Sequence, residues 1–117
     1  MDLKRSMINN HLYLRELDIN SIAKKYGTPI YLYDLNYVRN RVAQLRKLFN
    51  KNINIYYAVK ANYSYNILNN LRGLVDGLDV SSGGELNESI AAGYSANNLS
   101  FAGPGKTDKE LSQAIDV

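Results

Sequence analysis

Four times in succession, at intervals of about 20 to 25 residues, a short apolar or aromatic run is followed by a stretch of helical period. The first run is Ile30-Tyr31-Leu32-Tyr33, entered through the turn signal Thr28-Pro29. Asp34 follows as an N-cap, and Leu35, Val38, Val42, Leu45 and Phe49 then form one apolar stripe. Arg39, Arg41, Arg46 and Lys47 lie mostly off that stripe and read as a solvated face. The second run, Ile53 to Val59, leads to a helix from about Ser64 to Leu71, closed by Gly73. The third, Gly77 to Ser81, leads into Ser82-Gly83-Gly84-Glu85, the Ser-x-x-Glu spacing of a capping box. Leu86 and Ile90, with Ala91 beside them, form the apolar side of its helix, which stops at Gly93. The fourth, Leu99 to Ala102, passes through Gly103-Pro104-Gly105-Lys106 to a second box, Thr107-Asp108-Lys109-Glu110, and a helix carrying Leu111, Ala114 and Ile115.

Strands joined by short helices must run parallel, with right-handed crossovers. The fold class is therefore α/β, with four βα units. Four such units make half of a (β/α)8 barrel, or a small doubly wound sheet. Against the second, no Gly-x-Gly-x-x-Gly turn follows the first strand, and Gly103-Pro104-Gly105-Lys106-Thr107 is too short for a phosphate loop. Upstream, Ile19 to Tyr26 reads as a helix that starts near Asn20 or Ser21 and ends at Gly27. His11-Leu12-Tyr13-Leu14 alternates like an edge strand of something outside this chain.

Composition excludes several classes. With 117 residues, 45% of them hydrophobic, the chain is one domain or a piece of one, with enough apolar content for a core. A net charge of +3, with both signs mixed along the chain, is too mild to argue for nucleic acid. No apolar run is long enough for a membrane span, and Met1-Asp2-Leu3-Lys4-Arg5 lacks the apolar stretch of a signal peptide. Without cysteine, and with His11 the lone histidine, no Cys- or His-built metal site is expected.

The chemically suggestive stretch is Tyr56-Tyr57-Ala58-Val59-Lys60-Ala61-Asn62. Side chains alternate faces along a strand, so Ile53, Ile55, Tyr57 and Val59 share one face, and Asn54, Tyr56, Ala58 and Lys60 the other. The apolar face suits a helical layer outside a sheet. The mixed face suits a barrel interior, with Lys60 at the carboxyl end of its strand, where barrels gather their chemistry. A desolvated lysine there becomes a nucleophile toward a carbonyl. Read from spacing alone, Lys60 is equally compatible with a solvated surface lysine.

Tyr57-Ala58-Val59-Lys60-Ala61-Asn62 resembles the cofactor-lysine motif of the fold-type III pyridoxal phosphate decarboxylases, the diaminopimelate, ornithine and arginine decarboxylase family. Three further stretches are similar in the same order. They are Tyr26-Gly27-Thr28-Pro29-Ile30-Tyr31-Leu32-Tyr33-Asp34, Asp79-Val80-Ser81-Ser82-Gly83-Gly84-Glu85-Leu86, and Phe101-Ala102-Gly103-Pro104-Gly105-Lys106-Thr107. Gly83-Gly84-Glu85-Leu86 and the glycine turn at 103–105 favour the diaminopimelate decarboxylase-like branch, which also takes other amino acids or carrier-bound substrates.

The resemblance implies half of an alanine-racemase-like (β/α)8 barrel over residues 26–117. Residues 1–25 would associate with a β-rich domain beyond this chain. It implies pyridoxal 5'-phosphate as cofactor, with Lys60 as its Schiff-base lysine and the catalytic residue. Ala58 would sit beneath the cofactor. Asp79 and Glu85 would line the barrel mouth nearby, where a carboxylate favours the ammonium form of Lys60. It further implies an amino acid substrate such as meso-diaminopimelate, a place in lysine biosynthesis, a cytoplasmic homodimer, and further site groups beyond residue 117. The 117 residues alone are expected to self-associate through open sheet edges and to show little activity. The resemblance leaves two other readings, a noncatalytic pyridoxal phosphate-binding barrel and a scaffold without cofactor. Duller roles also remain. Asp79 is also compatible with capping a loop, Glu85 with only completing the box with Ser82, and the tyrosines at 31, 33, 56 and 57 with packing alone.

Overall fold

The computed structural model describes residues 4–49 and 52–117; Met1, Asp2, Leu3, Asn50 and Lys51 lie outside the described residues. The chain divides into two compact units, Met1–Arg41 and Val42–Val117.

The first unit begins with an antiparallel hairpin. Strand β1 (Arg5–Ile8) pairs with β2 (His11–Leu14), with Ile8 opposite His11, and β2 pairs in turn with the two-residue β3 (Leu17–Asp18). Asn9 and Asn10 form the two-residue turn at φ of 49° and 64°, a conformation asparagine tolerates better than most side chains. The strand at 11–14 thus finds its partners within the chain, not outside it. Asp18 then caps helix α1 (Ile19–Tyr26), accepting from the Asn20 N–H at 2.9 Å and the Ser21 hydroxyl at 2.8 Å. The helix ends at Gly27, whose N–H returns to the Ala23 carbonyl.

Helix α2 (Leu35–Leu48) is capped as its sequence predicts, with Asp34 accepting from the N–H groups of Asn36 and Tyr37. The same carboxylate takes an ion pair from Arg15 at 2.7 Å, which ties the hairpin to the start of α2.

Ile30–Tyr33 is the clear departure. It forms no strand, and its four side chains are 38 to 92% exposed. Aromatic and β-branched residues favour a strand only where a neighbour supplies the ladder, and among the described residues these have none. Three parallel strands therefore stand where the sequence predicts four.

Those three form the sheet of the second unit, in the order β4 (Tyr56–Ala58), β5 (Gly77–Val80), β6 (Leu99–Phe101), all parallel. Each is followed by a helix: α3 (Tyr65–Leu71), α4 (Gly83–Ala91) and α5 (Asp108–Asp116). Leu78 and Val80 of β5 point to the helical side, where Val59, Leu68, Leu86, Ala92 and Tyr94 complete a buried core. Burying a leucine or valine there gains about 1.5–3 kcal/mol each relative to exposure. Tyr94, pushed up in pKa by burial, donates its hydroxyl to the Leu68 carbonyl, so its polar end is satisfied inside the core.

β4 begins later than the apolar run suggests. The Ile55 N–H donates to the Asp76 carboxylate at 2.6 Å, and the Ile55 carbonyl accepts from the Asp76 N–H, so the ladder starts only at Tyr56. Arg46 pairs with the same carboxylate at 2.7 Å, a structural role that a merely solvated face does not describe. The Ile55 N–H, then Arg46, hold Asp76 below the usual carboxylate range.

The box at Thr107 is complete. Glu110 accepts from the N–H and hydroxyl of Thr107, both at 2.9 Å, while its other oxygen accepts from the Gly83 N–H at 2.8 Å. Gly83 is buried at this junction, and a Cβ there would come within 3.1 Å of the Glu110 side chain.

Candidate active site

The sheet has two unlike faces. Tyr57, Leu78 and Leu99 are register partners on the core face. On the opposite face, Ala58, Asp79 and Ser100 form a single row across the three strands. Tyr56 and Gly77 form the row before it. Gly77 is required there, because a Cβ would run into the Tyr56 ring and the Asn98 carbonyl. Two of the residues singled out by sequence, Ala58 and Asp79, are thus direct neighbours. Ser100 joins them by strand parity, a signal present in the sequence but not used.

Lys60 lies just past the row. The strand does not run on to it: Val59–Ala61 is a 3-10 turn, so the strict alternation ends at Ala58. Val59 is fully buried beneath the turn, while Lys60 is exposed. The Tyr57 hydroxyl donates to the Asn62 carbonyl at 3.2 Å, and the Asn62 side chain accepts from the Ser64 N–H at 2.9 Å. The Lys60 amine makes no hydrogen bond or ion pair among the described residues. Neither Asp79 nor Glu85 pairs with it, so the expected carboxylate partner is not in contact. The Asp79 carboxylate is likewise half-buried and without a partner among the described residues.

Glu85 behaves differently. Ser82 caps α4 by accepting the Glu85 N–H at 3.2 Å, one half of the expected box. The other half is displaced by one residue. The Glu85 carboxylate accepts from the N–H of Ser81 at 2.9 Å and from the Ser81 hydroxyl at 3.1 Å. This removes Ser81 from the ladder and ends β5 at Val80. Glu85 also walls a cleft of about 280 Å³ with Tyr63, Ser82, Gly84 and Glu88; neither Lys60 nor Asp79 lines it.

Lys106, in the turn between β6 and α5, donates to the Gly103 carbonyl at 2.6 Å and lies over the Phe101 ring. No group of three or more metal-ligating side chains occurs among the described residues, and none of their helices is long and apolar enough to cross a membrane.

A chain with this sequence and geometry has relatives. Residues 35–117 match the family model of the pyridoxal-dependent decarboxylase pyridoxal-binding domain. The diaminopimelate decarboxylase of Aquifex aeolicus is 37% identical over 108 residues, covering 92% of this chain and 26% of that protein. A decarboxylase of an L-glutamyl acyl-carrier protein from Niallia circulans is also 37% identical, over 102 residues, covering 87% of this chain and 24% of that protein. The crystal structure of diaminopimelate decarboxylase from M. jannaschii in complex with L-lysine superposes with a TM-score of 0.82 at 27% identity. That match covers 97% of this chain and 28% of the other. The parallel sheet and the small antiparallel sheet therefore correspond to part of the decarboxylase barrel domain. The chain spans about a quarter of the length of the curated relatives it matches. It belongs to the pyridoxal-dependent decarboxylase family.

Proposed function

We propose that this chain supplies the lysine-bearing part of a pyridoxal phosphate-dependent amino acid decarboxylase of the diaminopimelate type. The observation that carries the reading is the match of residues 35–117 to the pyridoxal-binding domain, with Lys60 on an anchored turn at the carboxyl end of β4; exposure without a partner would by itself fit a surface lysine equally well. The donor set fits the cofactor. An aldehyde needs an accessible amine, and Lys60 is exposed. A flat ring needs a small neighbour, and Ala58 provides one on the adjoining strand face. When bound, pyridoxal phosphate supplies the electron sink that lets an α-carboxylate leave as carbon dioxide.

The chain's own residues then have distinct tasks. Lys60 holds the cofactor through its amine. Asp79, with a free carboxylate in the row beside Ala58, offers negative charge on the same face of the sheet. Glu85 has its carboxylate committed to Ser81 and so fixes the junction between β5 and α4. The reading carries with it a homodimer in the cytoplasm that acts on a free amino acid.

The test is a pyridoxal phosphate titration followed by visible absorbance, borohydride reduction and peptide mapping. A label on Lys60 that disappears in Lys60→Ala supports the reading; no selective labelling of Lys60 in a protein that carries this chain at the full length of its relatives overturns it. A second substrate reading has equal support from identity, since the carrier-protein decarboxylase is 37% identical as well. Carbon dioxide release by a protein that carries this chain at the full length of its relatives, from meso-diaminopimelate compared with a glutamyl carrier protein, separates the two.

A further inference from the structure

A turn of three 3-10 residues is a poor platform for a reacting group. Its hydrogen bonds are less well aligned than those of an α-helix, and such turns rarely run beyond about 3–4 residues. Lys60 sits in the middle of one. An amine that must meet a carbonyl needs its reacting atoms within about 3–3.5 Å, and its own four-carbon stem is flexible. The precision must come from the backbone that carries it.

Three anchors hold that backbone. Val59 is 0% exposed and fixes the entry of the turn to the core. Asn62 fixes the exit: its side chain accepts the Ser64 N–H, where Ser64 makes no side-chain cap of its own for α3. The third anchor is the one that spans the turn. Tyr57 lies on the core side of β4, half-buried, and its hydroxyl reaches past Val59, Lys60 and Ala61 to the Asn62 carbonyl. A phenylalanine would fill the same space against the core, so the hydroxyl adds nothing to packing that the ring does not already give.

We propose that Tyr57 is a positioning residue for Lys60: its hydroxyl staples the two ends of the lysine-bearing turn and so fixes where the amine is presented. The inference rests on the reading of Lys60 as the cofactor lysine. The tether itself is a property of the free chain. At 3.2 Å the bond is longer than the usual 2.7–2.8 Å of hydroxyl donors. The expected effect of losing it is therefore modest, about fivefold and not several orders of magnitude.

The experiment compares the chain with Tyr57→Phe and Asn62→Ala by amide hydrogen exchange, without cofactor. In Tyr57→Phe, exchange across 59–63 rises about fivefold relative to the amides of Leu78 and Val80. A merely structural hydroxyl would raise both sets together. In Asn62→Ala, which keeps the backbone carbonyl that Tyr57 uses, exchange rises most at Ser64 and the start of α3 and less at 59–61 than in Tyr57→Phe. Unchanged exchange at 59–63 in folded Tyr57→Phe, or a uniform rise across the sheet, overturns the proposal. If Tyr57→Phe does not fold, the hydroxyl is structural and the proposal falls.

Pyridoxal phosphate titration of the same proteins gives the second readout. Tyr57→Phe weakens Schiff-base formation at Lys60 about fivefold, with the label still on Lys60. Equal affinity in both proteins overturns the link to Lys60. Absence of labelling at Lys60 in a protein that carries this chain at the full length of its relatives would instead overturn the cofactor-lysine reading, while the exchange data still decide whether the staple exists.

Discussion

The two units are held together by different physics. Up to Arg41, one large apolar side chain, Leu14, is buried among the described residues. Order there comes from charged caps: Asp18 gathers His11, Asn20 and Ser21, and Asp34 gathers Arg15, Asn36 and Tyr37. From Val42 on, a contiguous core of Val59, Leu68, Leu78, Val80, Leu86, Ala92 and Tyr94 carries the parallel sheet. Apolar burial is non-directional and scales with area, whereas each polar tie depends on one geometry and one ionisation state. The lysine of the site stands on the apolar foundation, one residue from a fully buried valine.

The largest expected effect comes from cutting into that core. Leu78→Ala removes a side chain with no exposed surface, and about 2–5 kcal/mol of stability should go with it. Urea unfolding followed by the tyrosine signal measures this. A loss under about 1 kcal/mol would mean that β5 is not the centre of the unit. Ser82→Ala is smaller, about 1 kcal/mol, because it removes a single N-cap bond to the Glu85 N–H. The Ser81–Glu85 bonds should keep α4 in register.

Acid sharpens the contrast by a different route. The Ser21 hydroxyl and the His11 ring hold Asp18 below the usual carboxylate range, and the Arg15 guanidinium does the same for Asp34. A lowered folded pKa means that the ionised group stabilises the fold above its unfolded value, about pH 4. That contribution is lost as pH falls through the lower folded value. Lowering the pH from 5 toward 2 should therefore reduce the protection of the Asn20, Asn36 and Tyr37 amides, measured against the intrinsic exchange rate at each pH, before that of Leu78 or Val80. Simultaneous loss at both sets would erase the distinction between the two units.

Much of the second unit was legible because its signals are local. Ser82, Thr107 and Asp34 cap helices where a short polar side chain precedes an apolar stripe, and Gly73 and Gly93 take φ of 74° and 83°. Strands were less legible because a ladder belongs to two segments. Ile30–Tyr33 has strand-forming residues without a partner, and Ile53 to Ile55 loses its ladder to a single aspartate, Asp76. The hairpin at 5–14 was misread for the opposite reason, since Asn9-Asn10 is a turn signal that went unweighed beside the polar composition around it. At the site, the row of Ala58 and Asp79 follows from strand parity. The diversion of Glu85 to Ser81 does not, because the choice between two adjacent N–H groups depends on how β5 enters α4.

Glu110 leaves a consequence for how the second unit opens. One carboxylate closes the first turn of α5 and, with its other oxygen, takes an N–H at the start of α4. Each helix start would otherwise be free to fray by itself. With a shared acceptor, releasing either end exposes unmet donors at both. Opening of one helix start is therefore expected to loosen the other.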